Sequence, residues 1–544
     1  MIDLAFVNSP SPLRVRSSEE GSTQISWWTA LVTLVVVAIC LLGGLAALGL
    51  VGPDEPRYMA IARVMSRSGD WVTPRLYGQP WFEKPVLYYW AAGIMFRLFG
   101  VGEFAARLPA ALAALLATTV MAWAALRSYG LDAAWLALVM LPTTVVTIGL
   151  ARAATPDMLF SALLAAAAVS AAEMLEKKQS GQLARLAFGV SLGAATLAKG
   201  PAAVVLAAGA VFLWALISGK LRAVFRLAHP VCIAAFLVVA APWYVLCAWR
   251  NPEFLRVFIV EQNFSRYFTI VFDHVHPFWF FGPILLAATV PWTILLLPLA
   301  LDAFARVRRN QEWKDSPALF FGCWAVFPLF FFSFSQSKLP GYVLPAVPPL
   351  ILLLATTLAP RLNDRTKHTG LWLALVACAF PALPLAAVWW LRSMANLPSS
   401  KAPLGLLITV FVGTAACVCL ALAGQLRTAF AGAGVLMAVM LIGVNTEIIP
   451  KVDPLLSPRT AARATPQEAL SDGNLAIFDV GRAWEYGLDF YLDRALPEWS
   501  PNMPAPGWVW TTERGTAEMG HLNRTCVVVV ARISPQAWLV RIEK

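Results

Sequence analysis

Residues 27–58 read WWTALVTLVVVAICLLGGLAALGLVGPDEPRY, and the step from apolar to polar within this stretch decides the fold. The 25 residues Trp27–Val51 carry no charge. An α-helix rises about 1.5 Å per residue and needs about 20 residues to cross a hydrocarbon core of roughly 30 Å. The run therefore predicts a first membrane span, and Gly52-Pro53-Asp54-Glu55-Pro56-Arg57-Tyr58 falls where the chain leaves the bilayer. Trp, Tyr and Lys anchor such interfaces, but anchoring has no use for an adjacent pair of carboxylates. Asp54 is thus a functional candidate. Trp81-Phe82-Glu83-Lys84-Pro85 repeats the same mixture about thirty residues on.

Composition extends the first span to the whole chain. Of 544 residues 59% are hydrophobic and 13% charged, with mean hydropathy +0.67; soluble domains carry about 25% charged residues. This is a polytopic membrane protein with length left for one modest soluble domain. The net charge of +11 fits basic cytoplasmic loops and calls for no nucleic-acid partner. Seven of the eight Cys lie in apolar runs and only Cys526 is in the polar tail, so no disulfide framework is expected. The first span is too long for a signal-peptide core, so no cleaved leader is expected.

Apolar windows fall at 27–51, 103–126, 131–150, 157–174, 183–198, 200–218, 228–249, 278–300, 317–334, 340–359, 370–391, 403–424 and 429–448, which predicts thirteen spans. Pro85–Phe99 is short for a crossing. If it lies at the outer interface instead, Arg14/Arg16, Arg127, Lys177/Lys178/Arg185, Lys220/Arg222/Arg226, Arg306/Arg308/Arg309/Lys314, Arg361/Arg365/Lys367 and Arg427 all fall on the cytoplasmic side, as the positive-inside rule requires. Arg57, Lys84, Arg152, Lys199, Arg250, Arg266 and Lys338 are then left outside. Charges near hydrocarbon are costly, and so many on the side poor in Lys and Arg point to an anionic ligand.

The outer loops supply the chemistry. Loop 52–102 opens with the acidic pair and continues as an interfacial helix, with Tyr58, Ile61, Ala62 and Met65 on one face. A carboxylate beside a helix N-terminus is also a favourable cap and nothing more, so both readings of Asp54 stand. The same choice applies to Asp157, after Ala151-Arg152-Ala153-Ala154-Thr155-Pro156, and its side of the membrane favours a place in the site. Lys199-Gly200-Pro201 breaks two apolar runs at that surface. Loop 250–277 contains Glu261, Gln262, Asn263, Arg266, Tyr267, Asp273, His274 and His276. Two His at i and i+2 share a face in extended chain and with Glu83 could hold a divalent metal such as zinc. Ser335-Gln336-Ser337-Lys338-Leu339-Pro340-Gly341-Tyr342 is a short outer turn. Beyond residue 448 the pattern turns polar, with strand-like runs at Leu475–Val480, Trp508–Thr511, Cys526–Ala531 and Trp538–Ile542. Residues 1–448 thus form a membrane domain, and 449–544 a small α/β domain that an odd span count puts outside.

The motifs GPDEPRYMAIARVM, FEKPVLYYW, ARAATPD, LAKGP and SKLPGYVLPAVPPL, in this order across residues 52–350, resemble the GT-C glycosyltransferases. The nearest subgroup is the bacterial lipid A aminoarabinose transferases, relatives of the protein O-mannosyltransferases. The resemblance implies an inner-membrane enzyme with a periplasmic site, an undecaprenyl phosphate–aminoarabinose donor, a lipid A phosphate acceptor and a role in polymyxin resistance. It places the family's acidic residues on Asp54 and Asp157 and its Lys on Lys84. The chain reads Asp-Glu and not Asp-x-Asp, so no metal is required by motif.

The residue chemistry agrees. A sugar leaving a phosphodiester frees a phosphate that gains negative charge, which fixed cations stabilise: Lys84, with Arg57 and Lys199. Glu83, Arg266, Lys338, Tyr58 and Tyr342 complete the expected substrate contacts. Tyr58, Trp81, Phe82, Tyr88, Tyr89 and Tyr342 would line the access path for lipid chains. A phosphate acceptor needs no general base, so Asp54 would orient it or steady an oxocarbenium-like centre; a hydroxyl acceptor would make Asp54 the base. A monomer is expected. Within enzymes the runner-up is a protein O-mannosyltransferase, told apart by its acceptor, a polypeptide hydroxyl in place of a lipid A phosphate. The rival class is a transporter or lipid flippase, but the ionisable residues gather at one face and no internal repeat marks a midplane site.

Overall fold

The computed structural model describes residues 25–176, 181–269, 275–308, 313–362, 367–386, 389, 404–471, 474–500, 502–522 and 526–543. Helix α1 (Trp27–Leu42) starts at Ser26, whose hydroxyl accepts the Thr29 amide at 3.2 Å, and stops at Gly43-Gly44, with Gly44 at φ 72°. The expected 25-residue span is therefore a 16-residue helix followed by turns through Val51. Irregular backbone at such depth needs internal partners, and two arginines provide them. Arg152 donates to the carbonyls of Cys40 (2.6 Å) and Gly43 (2.7 Å). Arg107 donates to those of Leu45, Leu48 and Gly49 at 2.9, 2.5 and 2.7 Å. Arg152, grouped by sequence with the cations awaiting an anion, instead closes the end of α1.

The other windows are helical among the described residues: α4 (Glu103–Tyr129), α5 (Leu131–Met140), α6 (Val145–Ala151), α7 (Asp157–Glu176), α8 (Gln182–Lys199), α9 (Ala202–Ser218), α10 (Pro230–Arg250), and the later helices through Leu456. Among the described residues seven helices are long and apolar enough to cross a membrane, or up to nine if each of two bent pairs is one span; three more are shorter and apolar. The chain is thus a multi-pass membrane protein. Buried alanines line the contacting faces of α4 and α7, and such small side chains let helix axes approach closely in a membrane. Window 278–300 differs from expectation. It consists of two helical pieces 114° apart, broken before Pro291, a residue with no amide hydrogen to donate.

Between α1 and α4 the chain forms α2 (Asp54–Ser68), a hairpin of β1 (Arg75–Leu76) and β2 (Gln79–Pro80), and α3 (Leu87–Phe99). Tyr58, Ile61, Ala62 and Met65 share the buried face of α2 as the spacing predicts. At the far end, helix Leu426–Gly443 runs through a π-helical turn into Ile449–Leu456, so the expected boundary at 448 lies inside a continuous helix. The tail carries a sheet ordered β3-β4-β6-β5 (Leu475–Ile477, Trp508–Thr511, Ala537–Glu543, Cys526–Ser534), with β3 parallel to β4 and the other pairs antiparallel.

Candidate active site

Two neighbouring carboxylates part company at the start of α2. Glu55 turns inward and is buried. Its Oε2 accepts from the Val51 amide and Arg107, both at 2.8 Å, and its Oε1 from Arg107 (3.1 Å) and the Ala154 amide (2.6 Å). It fastens the first outer loop to the second. Asp54 is half exposed and meets Arg57 Nη2 at 2.5 Å. The same Nη2 lies 2.9 Å from Glu83, which also faces Lys84 at 3.6 Å and Arg266 at 3.8 Å. Across the site Asp157, the first residue of α7, pairs with Lys199, the last of α8. The Lys199 ammonium sits over the Tyr342 ring at 4.6 Å and the Phe160 ring at 5.5 Å.

Burial and neighbouring charge set the protonation of this network. Burial pushes the Asp54 carboxyl up, Arg57 and Lys84 oppose this, and Glu83 and Asp157 reinforce it. Burial pulls the Lys84 ammonium down to about 8, and Arg266 and Lys199 add to this against Glu83. Burial raises Glu83, but Lys84, Arg57 and Arg266 outweigh it and hold the carboxyl below its ordinary value.

A cavity of about 290 Å³ opens from this cluster. Glu83, Lys84, Lys199 and Arg266 lie at its polar end, while Pro201, Val205, Phe258, Phe264, Phe268, Phe331 and Phe332 make its walls. A mostly apolar cleft with a few convergent charges suits an amphipathic ligand with an anionic head.

Asp54, Arg57, Glu83, Lys84, Asp157, Lys199, Arg266 and Tyr342 are therefore brought together. Lys338 is buried behind the wall, its ammonium donating to the Ser335 carbonyl at 2.6 Å. Tyr58 packs beneath Arg57 against Tyr89, ring centroids 5.9 Å apart. Tyr58, Tyr88 and Tyr89 are core residues, at most 2% exposed, and so do not line a lipid path; Phe82 packs on Phe254. His276 is exposed and stacks on Phe280 at 4.2 Å, and His274 lies outside the described residues. Glu83 is surrounded by three cations, a setting that repels a metal ion, and no cluster of three His, Cys, Asp or Glu suited to one occurs among the described residues. The zinc expectation needs His274 and so lies outside the described residues. Sequence reasoning passed over Phe258 and the wall role of Gln262, Asn263 and Tyr267. Phe258, Gln262 and Asn263 arrive on a π-helical run, Arg256–Ser265, whose i to i+5 hydrogen bonding hides its cavity-facing side from a search at helical spacing, and Tyr267 follows on the short helix Arg266–Phe268. The clamp between Glu55 and Arg107 spans 52 residues of sequence and has no local signal.

The dolichyl-phosphate-mannose-protein mannosyltransferase family matches residues 26–258. The undecaprenyl phosphate-alpha-4-amino-4-deoxy-L-arabinose arabinosyl transferase of Pectobacterium carotovorum subsp. carotovorum is 30% identical over 470 residues, 84% of this chain and 83% of that relative. The protein of the same name from Erwinia tasmaniensis is 33% identical over 310 residues; there the match covers 56% of this chain, and the chain spans about half (54%) of the relative's length. The crystal structure of ArnT from Cupriavidus metallidurans bound to undecaprenyl phosphate superimposes with a TM-score of 0.74 at 25% identity, over 94% of this chain and 97% of that one.

Proposed function

This chain belongs to the undecaprenyl phosphate-aminoarabinose arabinosyl transferases, glycosyltransferases of the GT-C fold, and from that membership we propose that it transfers 4-amino-4-deoxy-L-arabinose from undecaprenyl phosphate to a phosphate of lipid A. The reaction takes place at the periplasmic face of a bacterial inner membrane, and the product lowers binding of polymyxin and other cationic peptides. The observation that carries the reading is the cavity, apolar along its walls and ending at Lys84, Lys199 and Arg266. An isoprenoid chain would lie along the phenylalanines with its phosphate at the cations.

In the transfer an oxygen of the acceptor phosphate bonds to the sugar C1 while the bond from C1 to the donor phosphate oxygen breaks. The leaving phosphate gains one negative charge, and Lys84, assisted by Arg266 and Lys199, stabilises it. Asp54 faces the positive side of the same event, the oxocarbenium-like C1 or the sugar's ammonium. Asp157 holds Lys199 in place. Arg57 links Asp54 to Glu83, and Tyr342 covers the Lys199 ammonium.

The match to the mannosyltransferase family over residues 26–258 favours one second reading, transfer to a polypeptide hydroxyl, with Asp54 as general base. Mass spectrometry of lipid A separates the two. In a bacterium that makes the donor but lacks its own transferase, this gene should add aminoarabinose to lipid A, and Asp54→Ala or Lys84→Ala should abolish the addition. Unmodified lipid A despite good membrane expression would reject the assignment and direct the search to glycosylated periplasmic proteins.

A further inference from the structure

The helix Arg482–Leu492 of the C-terminal domain lies against α2, the helix that carries Asp54 and Arg57. Its contact residues, Tyr486, Phe490 and Asp493, recur at i, i+4 and i+7, the spacing of one helical face continued into its cap. Arg63 of α2 donates to the Phe490 carbonyl at 2.7 Å, covers the Phe490 ring at 4.6 Å and pairs with Asp493 at 3.1 Å. Arg67 reaches the same carboxylate at 2.7 Å. One helical turn nearer the site, the ring of Tyr486 lies 5.7 Å from the Arg57 guanidinium. Trp81 and Tyr58 lie at 5.4 Å from it. Arg57 thus has two carboxylates at its edge and three aromatic rings about it, one of them from a domain more than 400 residues away in sequence.

The seam is tied on both sides of that ring. Tyr77 of the β1–β2 turn stacks on Tyr486, centroids 6.4 Å apart. The Leu50 amide donates to the Tyr491 hydroxyl at 2.7 Å, and that hydroxyl donates to Glu103 at 2.9 Å. The Gly49 amide donates to Asp453, also at 2.7 Å. A domain tied at these points stands at a fixed distance from α2.

We propose that the C-terminal domain completes the active site, with Tyr486 as a positioning residue that holds the Arg57 guanidinium on Asp54 and Glu83. The proposal rests on the reading of Asp54 and Glu83-Lys84 as the reacting end of the cavity. Without the ring, Arg57 gains rotamers. Glu83 is then less well neutralised beside the place where a phosphate would bind, and Asp54 loses its fixed orientation.

The test uses the full-length protein in detergent, with Tyr486→Phe, Tyr486→Leu, Arg57→Lys and the double variant Arg57→Lys/Tyr486→Leu. Affinity for undecaprenyl phosphate is measured first, because it needs no sugar donor, and then kcat and KM for transfer. A cation over an aromatic face is a modest interaction, so Tyr486→Leu should weaken undecaprenyl phosphate binding and lower kcat by about fivefold each. Tyr486→Phe keeps the ring and should restore both. In the Arg57→Lys background Tyr486→Leu should add little, because the planar guanidinium it positions is gone. Wild-type affinity and kcat in Tyr486→Leu, or equal losses in Tyr486→Phe and Tyr486→Leu, or additive losses in the double variant, would each overturn the proposal. Failure of the functional reading looks different: the wild-type chain would bind undecaprenyl phosphate without transferring aminoarabinose, and the binding comparison would still decide the role of Tyr486.

Discussion

Lys84 offers the sharpest test of the site because its charge can be removed by pH alone. Burial lowers its ammonium from the ordinary 10.5 to about 8, a difference worth roughly 3 kcal/mol at 1.36 kcal/mol per pH unit. The sign follows directly. Below about 8 the ammonium is present and can hold a phosphate; above about 8 it is lost, so affinity falls as pH rises. A phosphate monoester has its second ionisation near pH 6, so the ligand's own charge is steady from pH 7 upward. A charge pair about 4 Å apart is worth about 4 kcal/mol at an effective dielectric of 20, so the neutral site should bind on the order of a hundredfold to a thousandfold more weakly. The Kd for undecaprenyl phosphate should be nearly constant from pH 7 to 7.5 and then rise, approaching tenfold per pH unit above about 8, by calorimetry or microscale thermophoresis on the purified protein. Lys84→Arg should flatten this alkaline limb, because a guanidinium stays charged. Lys84→Ala should bind at every pH about as weakly as the wild type at high pH. A Kd that stays level between pH 7 and 9.5 in the wild type would refute the assignment of Lys84 to the phosphate.

Four further outcomes follow from the same geometry. Asp54→Asn should lower transfer by a factor of about 100 or more while leaving undecaprenyl phosphate binding intact, since it removes a charge needed at C1 rather than at the phosphate. In the wild type, the acid limb of the transfer rate should lie above the ordinary carboxylate range near 3.8, because burial raises the Asp54 carboxyl. Glu55→Gln strands Arg107 as a buried, half-compensated charge, at a cost of about 3 kcal/mol or more. It should appear as a clear drop in the thermal midpoint of the detergent-solubilised protein, and an unchanged midpoint would contradict the clamp. Gly200→Ala places a side chain at φ 84° and brings its Cβ to 2.7 Å from the Phe258 ring on the cavity wall. With about 1–2 kcal/mol of backbone strain and a displaced wall, it should lower both thermal midpoint and undecaprenyl phosphate affinity, read in the same two assays.

How far the sequence could be read depended on the range of the forces involved. Apolar windows report a partition between lipid and water that acts residue by residue, and each of them contains helix among the described residues. Asp54, Glu83-Lys84, Asp157 and Lys199 were visible because charge at a membrane surface is conspicuous in sequence. What the windows could not show is where a helix stops for tertiary reasons. The run 27–51 stops at Gly43-Gly44 because Arg107 and Arg152, from α4 and the end of α6, satisfy carbonyls that a continuous helix would have satisfied itself. Nor could local reading separate Asp54 from Glu55. Neighbours on a helix point about 100° apart, and only the partners, Arg107 for one and Arg57 for the other, assign them to different work. The aromatic residues were misjudged for a similar reason. Tyr58, Tyr88 and Tyr89 have the composition of an interfacial belt, and only the packing of α2 on α3 and of α3 on α4 makes them core.

The charge balance of the assembled cavity bears on why the chain needs so many ionisable groups in one place. Around it four cations, Arg57, Lys84, Lys199 and Arg266, face three carboxylates, Asp54, Glu83 and Asp157. Each carboxylate already has a cation at ion-pair distance, so these seven groups carry one positive charge in excess. A phosphodiester donor brings one negative charge and meets that excess. When the bond to C1 breaks, the phosphate gains a second, and the network can answer by tightening Lys84, with Arg266 and Lys199, onto it while Arg57 holds Glu83. Such a response needs only small shifts of groups already oriented, which is the condition under which fixed charges accelerate a reaction rather than merely bind its substrate. Replacing Glu83 by Gln should therefore strengthen undecaprenyl phosphate binding and yet slow transfer, because the freed cations would hold the product phosphate too firmly to release it.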